Sequence, residues 1–227
     1  MKSPRPVFVV LPVKEIAAAK QRLAAALSPE LRQAFVLAML GDVLAALHAA
    51  PSLAGIIVVT VDPAAARLAQ DYGAQISTDA ARDGHTGAVT AAARSLARRG
   101  AAMLTIPGDV PLVAAGDIEA LIAAMREGQA FTIVPARDHR GSNAVLCAPA
   151  DAVPLRFGEN SYFPHLDAAR ACGFAPLSLS LPRLALDIDR PDDLTALLAL
   201  PQTTRAQAVL VDHGFVAPSV EPQSSNA

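Results

Sequence analysis

Continuous apolar, β-branched runs recur along this chain, each followed by a helix-forming stretch. That alternation limits the possible folds more than any other feature. Val7-Phe8-Val9-Val10-Leu11-Pro12-Val13 contains no polar position. A strand wetted on one face would alternate, so this run expects burial on both faces, as in a parallel sheet covered by helices. Gly55-Ile56-Ile57-Val58-Val59-Thr60-Val61 and Ala101-Ala102-Met103-Leu104-Thr105-Ile106 repeat the pattern. Between the first two runs, Ser28-Pro29-Glu30-Leu31 opens a helix, with Ser28 as N-cap and Pro29 at the first helical position. Leu31, Phe35, Met39, Val43 and Leu47 then fall on one helical face. Asp62-Pro63 starts a helix over Ala64–Tyr72, and Ala74–Ser77 is a short strand. A glycine-rich loop, Asp83–Gly87, leads into a helix over Ala88–Arg99. This rhythm predicts βαβ units and an α/β fold with a mainly parallel sheet.

The second half varies the theme. Asp117–Met125 reads as a helix, Phe131–Pro135 as a strand, and Asn143–Ala148 as an antiparallel return after the turn Asp138–Gly141. Phe157–Tyr162 is a loop before a helix over Phe163–Ala171. Pro176–Leu181 and Leu184–Asp189 read as strands, and Asp192–Leu200 as the last helix. No composition shift marks a linker. Residues 1–216 are therefore expected to form one domain, followed by a disordered tail over 217–227.

Bulk properties exclude several classes. A formal charge of −2 gives no basic face for nucleic acid. Cys147 and Cys172 form no CxxC pair and fit two buried, reduced thiols in a cytoplasmic protein. The first apolar run closes at Pro12 and Lys14, too soon for a signal peptide or a membrane span. Neither nucleic acid nor membrane is expected as a partner.

The chemistry-bearing residues sit beside the apolar runs. Asp109 follows the third long run, and Asp187 and Asp189 lie two apart, so a strand would face them to one side. In an open α/β sheet, ligands gather at the carboxyl ends of the strands. Lys14, Asp109 and Asp189 all read as strand-end residues and are candidates for one crevice. Three carboxylates can hold a divalent cation, and Lys14, Lys20 and Arg22 can hold phosphates. Plainer readings exist. Asp109 could be a turn residue before Pro111, Asp192-Asp193 suit a helix start, and the cations could be a solvated face. Neither GxxxxGK[ST] nor GxGxxG is present, which excludes a P-loop and a dinucleotide fingerprint. His85 reads as a surface loop residue, without a Ser or Cys nucleophile context. Gly141-Ser142-Asn143 and Gly158-Glu159-Asn160-Ser161 offer donors for a phosphate or carboxylate, or ordinary turn chemistry. Arg156 and His165 flank the second loop, where His165 could equally be structural.

Several segments together resemble a known family. They are Leu11-Pro12-Val13-Lys14, Ala19-Lys20-Gln21-Arg22-Leu23, Leu27-Ser28-Pro29-Glu30, Gly108-Asp109-Val110-Pro111-Leu112, Gly141-Ser142-Asn143, Arg156-Phe157-Gly158-Glu159-Asn160-Ser161 with His165, and Leu186-Asp187-Ile188-Asp189-Arg190-Pro191-Asp192-Asp193-Leu194. In this order, over about Val7 to Leu200, the chain is similar to the guanylyltransferases of coenzyme F420 biosynthesis. The resemblance implies a Rossmann-like nucleotidyltransferase fold, mostly parallel with some antiparallel strands. It implies magnesium as cofactor, with GTP and a phosphorylated three-carbon acid as partners. That acid would be 2-phospho-L-lactate, phosphoenolpyruvate or 3-phospho-D-glycerate. By the same resemblance, Asp109, Asp187 and Asp189 would hold magnesium. Ser142, Gly158 and Ser161 would bind the acid, and Lys14, Lys20 and Arg22, with Asp109, would serve the transfer at the triphosphate. A homodimer is left open. Three departures stand out: Ser142 where the family often has Thr, His85-Thr86 where it often has Leu-Asn, and Arg190 in place of a Thr that would cap the next helix. The rival readings are a nucleotidyltransferase making a molybdopterin or sugar nucleotide, and a non-catalytic nucleotide-binding module.

Overall fold

The apolar runs assemble into one seven-stranded sheet in the computed structural model, which describes residues 5–125 and 130–215. The strands are β1 (Val7–Pro12), β2 (Leu53–Val59), β3 (Gln75–Ser77), β4 (Ala102–Thr105), β5 (Ala130–Pro135), β6 (Ser142–Ala148) and β7 (Leu177–Ser178). Their spatial order is β3-β2-β1-β4-β6-β5-β7. Every neighbouring pair is parallel except those of β6, which runs against both β4 and β5. The α/β fold and the antiparallel return at Asn143 are as expected. The tail over 217–227 lies outside the described residues.

The helices are α1 (Pro29–His48), α2 (Pro63–Asp71), α3 (Gly84–Arg98), α4 (Ala115–Ala123), α5 (Tyr162–Ala171), α6 (Pro182–Ala185), α7 (Pro191–Leu198) and α8 (Arg205–Asp212). β1 shows why its sequence never alternates. Val7, Val9 and Leu11 pack in the cluster containing Phe35, Met39 and Val43 of α1, whereas Phe8 and Val10 pack with Val89 and Leu96 of α3. Both faces are dry, so both must be apolar. α1 is long and apolar enough to cross a membrane by length and composition. Here its apolar surface is spent on the sheet and on its neighbours α2, α4 and α8.

Several sequence expectations are corrected. Leu184–Asp189 is not a strand: α6 ends at Ala185, and 186–189 run outside the sheet. Only Leu177 and Ser178 of the expected 176–181 strand pair with β5. The glycine-rich stretch at 84–87 is the first turn of α3 rather than a loop before it. The segment 14–27 contains two short 3-10 turns, Ile16–Ala18 and Gln21–Leu23. Of the two thiols expected to be buried, Cys147 is buried, but Cys172, just past the end of α5, is exposed. α8 lies beyond the stretch expected as the last helix, although Thr204 and Gln207 form a capping box at its start. Its first turn is capped by Thr204 Oγ1 and by Asp42 of α1, whose carboxylate accepts from the Arg205 and Ala206 N–H groups at 2.9 Å each. Arg190 makes no side-chain cap for α7, as expected. Asp193 compensates by accepting from the backbone N–H of Arg190 at 2.8 Å and of Asp189 at 3.0 Å.

Candidate active site

The carboxyl ends of β1, β4 and β5 meet the amino end of β6 at one cleft of about 1010 Å³. Because β6 is antiparallel, its first residues, Ser142 and Asn143, arrive at the same sheet edge as the residues following the parallel strands. Chain order reverses between β1 and β4, so the cleft opens at the switch point where α/β sheets bind ligands. Lys14, Lys20, Arg22, Asp109, Ser142, Gly158, Ser161, Asp187 and Asp189 all line it. Nine residues chosen from distant segments thus share one cavity.

One end is acidic. Asp109 sits in the loop after β4, and its carbonyl accepts from the Ile188 N–H at 3.0 Å. That bond lays 187–189 beside Asp109. Ile188 is fully buried, so Asp187 and Asp189 on either side turn towards the cleft. The two carboxylates share a side as expected, although no strand holds them. Asn143 secures the segment: its side-chain amide donates to Asp187 Oδ1 at 2.9 Å and to the carbonyls of Leu184 at 2.9 Å and Ala185 at 3.2 Å.

Lys20 stands between the acids. Its backbone is left-handed, with φ of 51°, and its ammonium forms ion pairs with both Asp109 and Asp189. Burial opposes the charge on Lys20, but the two carboxylates outweigh it and hold its pKa at about 12. Asp189 is likewise opposed by burial and brought below the usual carboxylate range by Lys20. Asp187 has no such partner. Burial, then the nearby Asp109, push its pKa up against the Asn143 hydrogen bond. The Oδ1 atom of Asp109 is buried and makes no hydrogen bond. Among the described residues, no three His, Cys, Asp or Glu side chains are already arranged around a metal position.

Another part of the lining offers hydroxyls. Ser142 Oγ lies 3.1 Å from Ser161 Oγ and 3.0 Å from His165 Nδ1. Gly158, at φ +143°, lets the 157–161 loop turn into the cleft with a backbone that side chains rarely adopt. Thr86 of α3 steadies this loop by accepting from the Phe157 N–H at 3.0 Å. His85 is half-buried in the cleft rather than a surface loop residue. Its ring packs on Phe157 at 4.4 Å, and burial brings its pKa down to about 4. At the rim, exposed Arg22 pairs with Glu159 at 2.9 Å, bridging the amino-terminal loop and the 157–161 loop. Sequence reasoning left two parts unassigned, the clamp by Asn143 and the place of His165 against Ser142. A polar Asn heading an otherwise apolar strand was the available signal for the first. No local signal existed for the second.

The amino-acid sequence matches the family described as "Guanylyl transferase CofC like" over residues 7–227. The chain belongs to this family. It is 36% identical over 203 residues to the phosphoenolpyruvate guanylyltransferase of Conexibacter woesei, covering 88% of this chain and 91% of that one. It is 40% identical over 200 residues to the enzyme of the same name from Roseiflexus castenholzii, again covering 88% and 91%. Among solved structures, the fold is similar to a protein described as a nucleotide-diphospho-sugar transferase from Desulfovibrio desulfuricans G20. That match has a TM-score of 0.72 at 16% identity, over 91% of this chain and 94% of the other. It is also similar to a cytidylyltransferase from Leptospira borgpetersenii, with a TM-score of 0.57 at 12% identity over 92% and 95%. The fold is therefore that of the nucleotidyltransferases, and the chain is a guanylyltransferase of the CofC-like family.

Proposed function

We propose that this protein transfers GMP from GTP to the phosphate of phosphoenolpyruvate, releasing pyrophosphate, as a magnesium-dependent cytoplasmic step in coenzyme F420 biosynthesis. One observation carries the reading: a carboxylate–ammonium centre and a pair of hydroxyls line a single cleft. Phosphoenolpyruvate is favoured among the three candidate acids by the names of the relatives.

The acid's phosphate is already an anion near neutral pH, so attack on the α-phosphorus of GTP needs no protein nucleophile or strong base. The barrier lies in bringing two anions together and aligning them. Ser142, Ser161 and the backbone at Gly158 would hold the acid. Lys14, at the end of β1, and Lys20 would hold the triphosphate, with Arg22 at the rim. Magnesium suits the residues present. Asp109 has a buried carboxylate oxygen without a partner, and Asp187 is destabilised as an anion by burial and by its neighbours. Hard oxygen donors of this kind are what magnesium takes. Asp109, Asp187 and Asp189 would hold it, and it would supply charge neutralisation at the phosphates. Lys20 would give up its ion pairs there and turn its charge to the nucleotide.

Incubation with each of the three acids and each of the four nucleoside triphosphates tests the reading. Pyrophosphate release is followed, and the product is identified by mass. GTP with phosphoenolpyruvate should give the highest kcat/KM. Preference for a sugar phosphate, or no turnover with any of the three acids, would overturn it.

A further inference from the structure

The hydroxyl pair of the cleft stands at the end of a hydrogen-bond chain whose direction a backbone amide sets. The Arg156 N–H lies 2.9 Å from His165 Nε2. An amide N–H can only donate, so Nε2 carries no proton. His165 is 1% exposed, and burial, then the nearby His85, bring its pKa down to about 4. The ring is therefore neutral near neutral pH, and its single proton sits on Nδ1. Nδ1 donates to Ser142 Oγ at 3.0 Å.

Proton counting then decides what the cleft sees. Ser142 and Ser161 carry two hydroxyl protons, and one is used in the 3.1 Å contact between them. The second finds no acceptor in His165, because Nδ1 is already protonated. Whichever serine holds it, the pair presents a net donor to the cleft that both residues line. The opposite tautomer would set Nε2–H against the Arg156 N–H, donor against donor. It would also let Nδ1 absorb the spare proton, leaving lone pairs facing the ligand. The first state attracts an anionic oxygen, and the second repels it.

We propose that His165 is a positioning residue for the acid substrate: through Nδ1–H it commits the Ser142–Ser161 pair to donating towards an anionic oxygen of the phospho-acid. This rests on the reading of the Ser142–Ser161 part of the cleft as the phospho-acid subsite. A merely structural His165 would only fill space beside Phe157, whose ring lies 4.9 Å away.

Steady-state kinetics of His165→Phe, His165→Gln, Ser142→Ala and the double variant Ser142→Ala with His165→Phe separate the possibilities. Phe keeps a ring against Phe157 but neither accepts nor donates, whereas Gln can accept from Arg156 N–H and donate to Ser142. His165→Phe should raise KM for the acid about tenfold, the size expected for a hydrogen bond to a charged group. KM for GTP should stay unchanged, and His165→Gln should recover most of the loss. The double variant should be no worse than Ser142→Ala alone, since both remove the same interaction. Equal rises in both KM values, additive losses, or a Gln variant no better than Phe would overturn the proposal. If Ser142→Ala raises KM for the acid while His165→Phe does not, positioning alone fails. If Ser142→Ala changes neither KM, the assignment of this subsite to the acid fails with it. Imidazole ¹⁵N spectra of the unaltered protein give a check independent of variant folding. A proton on Nδ1 with a bare Nε2 is expected, and Nε2–H overturns the proposal.

Discussion

Replacing Lys20 by Met would remove the ammonium that stands between Asp109 and Asp189 while keeping a side chain of similar reach. Burial disfavours the charge on Lys20, yet the two carboxylates hold its pKa at about 12 against an ordinary 10.5. The difference corresponds to about 2 kcal/mol in favour of the ammonium in the folded chain. Because the folded value is the higher one, this contribution is complete below pH 10.5 and is lost as the pH rises through about 12. Asp189 is 41% exposed, so water screens part of the loss. Near neutral pH, Lys20→Met should therefore cost about 1–2 kcal/mol, or about 2–8 °C in Tm for a chain of this size. Removing the cation also leaves Asp109, Asp187 and Asp189 facing one another uncompensated. Magnesium chloride without nucleotide should then raise the Tm of Lys20→Met by more than it raises that of the parent. Thermal melts with and without magnesium read both effects. A variant as stable as the parent in metal-free buffer would refute the electrostatic account of Lys20. Equal magnesium increments in the two proteins would refute competition between Lys20 and the metal for the same carboxylates.

Asp109→Asn should abolish pyrophosphate release while near-UV circular dichroism stays that of a folded chain; activity within a few-fold of the parent would remove this carboxylate from the mechanism. Lys14→Ala and Arg22→Ala should weaken binding of a non-hydrolysable GTP analogue in calorimetric titration, and Arg22→Lys should fall between parent and Arg22→Ala, since it keeps charge but loses the planar fork. Unchanged affinity in both alanine variants would leave these cations as solvated surface. Asp42→Ala should cost about 1 kcal/mol in urea denaturation by uncapping α8, without changing either KM; an unchanged midpoint would mean that Thr204 alone suffices.

Local physics made much of this protein legible. A strand buried on both faces must be apolar throughout, so β1 and β4 announced themselves and their place in a covered sheet. Capping is a contact between near neighbours. Ser28 accepts from the Leu31 N–H and Asp62 from Ala64 and Ala65, as their positions before proline implied. Residues next to strand ends could be assigned to one crevice because a parallel sheet delivers all such ends to one edge.

Tertiary structure decided whatever depends on partners far apart in the chain. Leu184–Asp189 has the composition of a strand, but its backbone is held by Asn143 and by the Asp109 carbonyl instead of a neighbouring strand. α8 becomes a helix against α1, with a cap borrowed from Asp42, 163 residues away from Arg205. Asp62 also accepts from the Ile16 N–H, a bond that ties the amino-terminal loop to α2 and that no spacing rule could reveal. Lys20 looked like one more cation facing a phosphate. Only the fold brings it into contact with Asp109, 89 residues away in sequence. His165 carries its proton on Nδ1 because a backbone N–H nine residues earlier is aimed at its other nitrogen. Side-chain type states which hydrogen bonds and charges a residue can offer. Which of them are used, and with what sign at the cleft, depends on distances that only the folded chain defines.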